Sequence, residues 1–143
     1  IKDLKHALEL KPSRLEAHAA LAEAYENKND VAGAMSEWQK AISGNDKVPY
    51  WRWQYGKLLS ARNQFADASN HLAYALEEGK KLNPRPAWVT SAAFEAGEAF
   101  QKTGKKKEAC DAYHFFIDTA PPGSADRRDA ERGIAALACT NDR

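Results

Sequence analysis

Four histidines and two cysteines are the residues best suited to chemistry in this sequence of 143 residues. The histidines fall in four different predicted helices, and none accompanies a Ser or Cys in a nucleophile signature; they are His6, His18, His71 and His114. No glycine-rich loop of the kind that cradles a phosphate is present. The pattern is typical of a protein that is not an enzyme.

Cys110 and His114 are the best candidates for a metal site, because they lie four residues apart on one face of a predicted helix, beside Asp111. Zinc needs three or four ligands, so the rest would have to come from elsewhere. Cys110 is better explained as a small helix residue, and we expect no metal and no cofactor. Cys139 lies in the next predicted helix. The two cysteines lie at unequal distances along the chain from the turn that joins their helices. We therefore expect no disulfide, and the redox compartment stays open.

The composition favours a soluble globular protein, with 43% apolar and 29% charged residues. Lys and Arg number 21 against 20 Asp and Glu, which is not the basic excess of a nucleic-acid binder. No run of apolar residues is long enough to span a membrane. No signal peptide is visible, which favours the cytoplasm. Since the chain opens on Ile1, we expect it to be a fragment with a further segment upstream.

Two basic clusters were tested as a nucleic-acid site. Lys80, Lys81 and Arg85 lie in a predicted connection between helix pairs, whereas residues 105–107 are three lysines in a turn within a pair. The clusters fall at opposite ends of the helices and form no continuous strip for a phosphate backbone. We expect solvated loop lysines and no nucleic-acid partner.

The elements that would position any site show an internal repeat of small and large residues. The middle copy consists of Gly56, Leu59, Ala68, Leu72 and Ala75. The preceding copy stands 34 residues earlier, at Ala22, Tyr25, Ala34, Trp38 and Ala41. The following copy stands 41 residues later, at Gly97, Phe100, Ala109, Tyr113 and Phe116. Each copy spans two helix-forming segments separated by a short polar turn, in the first case with Asp30 as the predicted N-cap.

Small residues at these places have a packing reason. Where two antiparallel helices cross closely, a small residue on one helix admits a large side chain from the other. A glycine inside a helix costs about 1 kcal/mol against alanine, so its recurrence indicates close packing. We therefore expect a bulky residue at Gly56 or Gly97 to destabilise the fold.

With these positions the sequence resembles the tetratricopeptide repeat family. The matching residues are Leu21, Ala22, Tyr25, Ala34 and Trp38, then Tyr55, Gly56, Leu59, Ala68 and Leu72, then Gly97, Phe100, Gly104, Ala109, Tyr113 and the closing Pro121. The usual opening aromatic is replaced by His18, Arg52 and Ala93, and Asp46 stands in place of a closing proline. The resemblance implies an all-α, right-handed α-solenoid of antiparallel helix pairs.

The resemblance divides the chain into six segments. They are residues 1–12 (the second half of an upstream repeat, with Leu4, Ala7 and Pro12), 15–48, 49–82, an insertion at 83–89, 90–123, and a capping helix with tail at 124–143. We expect the helix before the insertion to end near Leu82 and the next to begin near Pro86. The insertion is interpreted as a tolerated loop, with a lip on the binding surface as the alternative. The last helix is predicted to begin at Ser124 and to cover the end of the stack with Ala130, Ile134, Leu137 and Ala138.

The family resemblance implies a non-catalytic module that binds a peptide or helix of a partner protein in its concave groove. The expected groove residues are Glu16, Glu23, Tyr50, Trp53, Lys57, Phe94, Glu98 and Gln101. Tyr50, Trp53 and Phe94 are expected to be exposed aromatics. The alternative for Trp53 is that it packs against a neighbouring repeat and adds to the core. The excess of glutamates favours a partner with apolar anchors and basic flanks.

One subfamily of these repeats clamps the C-terminal carboxylate of heat-shock chaperones with Lys, Arg and Asn. The matching positions here are Ala19, Glu23, Gln54, Ser91 and Glu95, so that clamp is absent. Two other functions are compatible with the sequence. The chain could self-associate as part of a scaffold, or it could regulate an enzyme that lies outside this fragment.

Overall fold

The computed structural model describes residues 14–140 as seven α-helices joined by short turns. The helices are α1 (Arg14–Asn27), α2 (Val31–Gly44), α3 (Pro49–Ala61), α4 (Phe65–Lys80), α5 (Trp88–Lys102), α6 (Lys106–Thr119) and α7 (Ala125–Leu137). Within this range there is no β-strand, which confirms the predicted all-α class. The half-repeat expected at residues 1–12, which includes His6, lies outside the described residues.

The helices stack as antiparallel pairs, α1 with α2, α3 with α4 and α5 with α6. Contacts also join α3 to α5 and α5 to α7, whereas no contact of comparable extent joins the second helices of successive pairs within residues 14–140. The stack therefore curves toward the first helices. We call the surface formed by α1, α3, α5 and α7 the concave face.

The turns within the pairs repeat in conformation as well as in spacing. Asn29 and Asn63 both have a φ of 62°, and Gly104 has a φ of 78°. Asparagine and glycine tolerate this left-handed backbone better than other residues do. Asp30 is the N-cap of α2, and its side chain accepts a hydrogen bond from the backbone N–H of Gly33, as predicted.

The small residues lie where helices cross. A Cβ at Gly56 would stand 2.8 Å from Cγ of Leu72, and one at Gly97 would stand 2.6 Å from Cε1 of Tyr113. Gly133 of α7 closes on the other edge of the same ring, where a Cβ would stand 2.6 Å from Cε2. The expectation that these glycines admit large partners is therefore confirmed at Gly56 and Gly97. Gly133 is a third such site that the sequence pattern did not single out.

The connection between α4 and α5 is longer than the others. α4 ends at Lys80 and α5 begins at Trp88, each within about two residues of the predicted position. The guanidinium of Arg85 lies 5.1 Å from the ring centroid of Phe115, so the connection packs onto α6. Trp88 turns to the concave face, where it packs against α3. The first residue of α5 thus supplies part of that face, whereas the connection before it lies against α6. The lip on the binding surface stays a prediction.

Two expectations about the C-terminal end are wrong. Cys110 and Cys139 form a disulfide with a Cα–Cα distance of 5.7 Å, because the turn after α7 brings the second cysteine back to α6. Cys110 is therefore not a thiolate ligand for a metal. Ala138 is exposed and has a φ of 53°, so it ends α7 and does not belong to its apolar stripe. Ala130 is fully buried, and Ile134 and Leu137 are half-buried.

Candidate interaction surface

Three aromatic residues form a contiguous cluster on the concave face, which we call the aromatic patch: Tyr50 and Trp53 of α3 and Trp88 of α5. The indoles of Trp53 and Trp88 stack with centroids 5.4 Å apart and an interplanar angle of 18°. The Tyr50 ring lies 5.6 Å from Trp53 and 5.8 Å from Trp88. All three side chains are half-buried, so the patch keeps accessible aromatic surface while its members support one another.

Trp53 is fixed from two further directions. Its indole N–H donates a hydrogen bond to the Glu95 carboxylate of α5, across the boundary between the predicted second and third repeats. The ammonium of Lys57, one turn further along α3, lies 4.6 Å from the Trp53 ring centroid. An ammonium at this distance from an indole makes a cation–π interaction. The patch therefore already holds one cation in the free protein.

Glu95 has an unusual environment for a carboxyl group. Burial raises its pKa from 4.5 to about 7, and the negative charges of Glu98 and Asp126 act in the same direction. The hydrogen bond from Trp53 and the charge of Lys57 oppose this rise. Near neutral pH the group is therefore divided between its protonated and ionised forms.

At the other side of the patch, α1 contributes carboxylates. Glu26 accepts a hydrogen bond of 3.1 Å from the indole N–H of Trp38. Burial raises the pKa of Tyr50, with Glu23 and Glu26 contributing in the same direction, while a hydrogen bond from the Gln54 amide lowers it. That bond runs from Nε2 of Gln54 to the Tyr50 hydroxyl at 2.7 Å. Acidic side chains thus approach the patch from α1 as well as from α5.

A cavity of about 350 Å³ opens between α5 and α7 at the C-terminal end of the concave face. Its floor includes the rings of Phe94 and Tyr113, and its rim carries Glu98 and Asp129. Burial raises the pKa of Glu98, and the charges of Asp126 and Asp129 add to the effect. Lys102 and Arg132 line the same cavity, and Arg132 pairs with Asp129 at 3.4 Å, so the chain's own cations partly balance these carboxylates.

The structure brings the predicted groove residues together in two groups. Tyr50, Trp53 and Lys57 form the first group, with Glu23 beside Tyr50. The second group, which lines the cavity, consists of Phe94, Glu98 and Gln101. Glu16 is exposed in the first turn of α1.

The expectation that Phe94 is an exposed aromatic is wrong. Only 9% of its surface is accessible, and its ring packs 5.3 Å from Phe116 and 6.3 Å from Tyr113. It belongs to the same buried cluster as Ala130 of α7. Trp53 packs against the next helix pair, as the alternative interpretation predicted. Its side chain also retains exposed surface, as expected of a groove aromatic. Replacing both residues by alanine would therefore remove packing as well as any binding contact.

Trp88 and Glu95 belong to this surface but were not among the predicted groove residues. Trp88 falls in the predicted insertion, where the repeat pattern gives no orientation. Glu95 was considered only as a mismatch to the carboxylate clamp. It directly follows Phe94, a predicted groove residue, and this proximity was the signal that could have found it. The sequence signal for Gly133 was its position 36 residues after Gly97.

Residues 14–140 lack the features of a metal site and of a membrane-spanning helix. No group of three or more His, Cys, Asp or Glu side chains in this range could hold a metal ion. No described helix is long and apolar enough to cross a bilayer. His18, His71 and His114 lie on three different helices, α1, α4 and α6.

Neither the models of known protein families nor the curated proteins include a match to this sequence. Solved structures do match its fold. MamA superposes with a TM-score of 0.74 at 14% identity, covering 96% of this chain and 76% of that one. A tetratricopeptide repeat protein from Parabacteroides merdae ATCC 43184 gives 0.73 at 14% identity and 96% coverage of this chain, which spans only 52% of that protein.

A third match is the first repeat domain of Spaghetti (RPAP3), solved with the HSP90 peptide SRMEEVD. Its TM-score is 0.67 at 16% identity, covering 87% of this chain and 95% of that one. This chain has a tetratricopeptide-repeat-like fold. Identities this low establish the architecture alone, so the function of the TPR-like chain depends on its own surface.

Proposed function

We propose that this TPR-like chain is a non-catalytic interaction module whose concave face binds a segment of another protein, a peptide or a helix with apolar anchors and basic flanks. The observation that carries the proposal is the aromatic patch of Tyr50, Trp53 and Trp88, half-exposed on the concave face and approached by carboxylates from α1 and α5. Aromatic side chains with residual exposure are the residues that most often supply binding energy at protein interfaces.

The apolar part of the proposed ligand follows from the patch itself. Large aromatic surfaces gain most from contact with other apolar groups, at roughly 25 cal/mol per Å² removed from water. The three rings are fixed by mutual packing, so little side-chain entropy is lost when a partner covers them. A leucine or aromatic anchor of a partner would therefore be favoured here.

The basic part follows from charge. Five carboxyl groups surround the aromatic patch: Glu23 and Glu26 act on Tyr50, and Glu98 and Asp126 act on Glu95, which accepts the hydrogen bond from Trp53. The cations that act on Glu95 and Glu98 are Lys57 and Lys102. A partner with lysine or arginine flanks complements this excess, whereas an acidic segment such as SRMEEVD, the peptide bound by Spaghetti, is disfavoured.

A random peptide library displayed on phage tests the proposal with the whole chain as target. We expect the selected peptides to combine apolar residues with Lys or Arg. Their binding should be lost when the concave face is reversed in charge by Glu23→Lys with Glu98→Lys. It should persist in the matched variant Glu77→Lys with Glu108→Lys, which changes exposed glutamates on α4 and α6.

Two results would overturn the proposal. One is an acidic consensus among the selected peptides. The other is equal loss of binding in the concave and outer charge-reversal variants. Light scattering on the free chain addresses the rival function: a stable oligomer that covers the concave face would favour self-association instead.

A further inference from the structure

The most specific feature of the concave face is that its own lysine already occupies the aromatic patch. Lys57 places its ammonium 4.6 Å from the Trp53 ring centroid, and its charge acts on Glu95. Trp53 is held by its hydrogen bond to Glu95 and by the stacked Trp88. The receiving surface is therefore built by neighbouring residues of two helices and does not depend on Lys57 for its shape.

The charges around this ammonium are unbalanced. The charge of Lys57 acts on Glu95, and Glu98 of the same helix and Asp126 of α7 act on the same carboxyl group. From α3, the groups that face Glu95 are the Trp53 indole N–H and Lys57. Three carboxyl groups stand against Lys57 and, beside Glu98, Lys102, so the acidic groups remain in excess and can accept a further positive charge. The site is thus chemically suited to a cation whether or not Lys57 supplies it.

Lys57 is held there only weakly. A cation–π contact at a partly exposed site contributes about 0.5–1 kcal/mol, and the lysine side chain recovers rotamer freedom on release. A cation presented by a bound segment can therefore displace Lys57, which needs only rotations about its own side-chain bonds to swing into solvent.

We propose that Lys57 occupies, in the free protein, a subsite that a lysine or arginine side chain of the partner takes in the complex. The partner's cation stacks on Trp53, pairs with Glu95 and Glu98, and releases the Lys57 ammonium to water. This inference deepens the proposed function and depends on it. It also makes Lys57 a built-in competitor that lowers the affinity of the groove for weakly basic segments.

The simpler alternative is that Lys57 lies on Trp53 only because the two are one turn apart on α3. In that case the contact persists in the complex, and removal of the lysine changes binding no more than removal of another cation of the same face. Lys102 provides the matched comparison, since it lies on the concave face and its charge acts on Glu98.

The test uses two acetylated and amidated peptides, LKRLLKRL and its neutral counterpart LQQLLQQL, titrated into the whole chain. We expect the basic peptide to bind about two- to fivefold more tightly to Lys57→Met than to the unmodified chain. Lys102→Met should give a smaller gain. Glu95→Gln, which keeps an acceptor for the Trp53 indole N–H, should weaken binding about fivefold, and the exposed control Glu108→Gln should not.

Nuclear magnetic resonance follows the displacement directly. The ε-methylene protons of Lys57 are shifted by the ring current of Trp53 in the free protein, and they should move to the position of a solvated lysine when LKRLLKRL is added. LQQLLQQL should leave them in place. Melting curves of each variant confirm that the fold is retained.

The outcomes separate the two proposals. If both peptides bind the concave face equally and Lys57 stays on Trp53, the concave face is still the binding surface, whereas the preference for basic flanks and the cation subsite are both wrong. If neither peptide binds the concave face, both proposals fail. If Lys57→Met and Lys102→Met tighten binding equally and the Lys57 resonances do not move, the effect is one of overall charge and the displacement is refuted.

Discussion

At the scale of single residues, Glu95 has the most perturbed carboxyl group of the concave face. Burial raises its pKa to about 7, and the charges of Glu98 and Asp126 act in the same direction. A carboxyl group whose pKa is higher in the folded than in the unfolded chain favours folding while it is protonated. That contribution is fully present below a pH of about 4.5 and is lost as the pH rises through about 7.

Replacing Glu95 by Gln should therefore change the pH dependence of stability. Glutamine keeps an acceptor for the indole N–H of Trp53 and carries no charge. We expect Glu95→Gln to match the unmodified chain near pH 4 and to be more stable by on the order of 1–2 kcal/mol near pH 8. Urea denaturation at the two pH values measures the difference. A gain that is the same at both would show that Glu95 does not titrate in this window.

Phe94 provides the second prediction at this scale. Because its ring packs on Phe116 and Tyr113, Phe94→Ala should lower the free energy of unfolding by about 3 kcal/mol, and Phe94→Leu by about 1 kcal/mol. Chemical denaturation compares the two variants. A loss below 1 kcal/mol for the alanine variant would indicate that the Phe94 ring is not buried.

At the scale of helices, α5 and α7 enclose the Tyr113 ring between two glycines. Gly97 and Gly133 each leave space that a Cβ would fill at 2.6 Å from the ring. Burial raises the pKa of Tyr113 to about 12, with Glu98 and Asp129 contributing, and its hydroxyl donates to the side-chain oxygen of Gln101. The Tyr113 ring therefore packs between the capping helix α7 and helix α5 of the preceding pair.

Gly133→Leu should therefore destabilise the chain by about 1–3 kcal/mol through overpacking against Tyr113. Ala135→Leu makes a similar addition of bulk at an exposed position of the same helix and should stay within about 0.5 kcal/mol of the unmodified chain. Thermal melts followed by circular dichroism compare the two. Equal melting temperatures would mean that α7 does not close on Tyr113.

The disulfide fixes the other end of α7. It joins residues 29 apart, and closing a loop of this length stabilises a fold by about 2–4 kcal/mol in the chain-entropy description. Cys110→Ser, Cys139→Ser and the double variant should lose the same amount under oxidising conditions, and added reductant should lower only the unmodified chain to their level. Additive losses in the double variant would indicate that the two sulfurs are not bonded to each other.

Features that depend only on repeat spacing or on the backbone preference of one residue were predictable from sequence. The pairing of Gly56 with Leu72 and the turn residues Asn63 and Gly104 follow from repeat spacing and backbone preference. The burial of Phe94 and the orientation of Trp88 depend on how far neighbouring helices lean toward the groove. The same holds for the Cys110–Cys139 bridge, which requires the turn after α7. The repeat period of the sequence does not report how far a helix leans or where a turn directs the chain.

At the scale of the whole molecule, a net charge of +1 conceals an uneven distribution. Glu23, Glu26, Glu95, Glu98 and Asp126 surround the aromatic patch, whereas Lys105 stands in the turn between α5 and α6, and Lys106 and Lys107 begin α6. The fold is shared with proteins of very different sequence, so under the proposed function the groove charge and the aromatic patch would determine which partner binds. Binding of a basic segment should therefore weaken as salt is added.

The central claim is that the concave face, and no other surface, receives a basic segment with apolar anchors. Amide chemical shifts recorded while the peptide LKRLLKRL is titrated into the isotopically labelled chain test it most directly. We predict that the largest changes fall on α1, α3 and α5, with the indole N–H of Trp53 and Trp88 among them. Changes concentrated on α2, α4 and α6, or no saturable change at all, would contradict the claim.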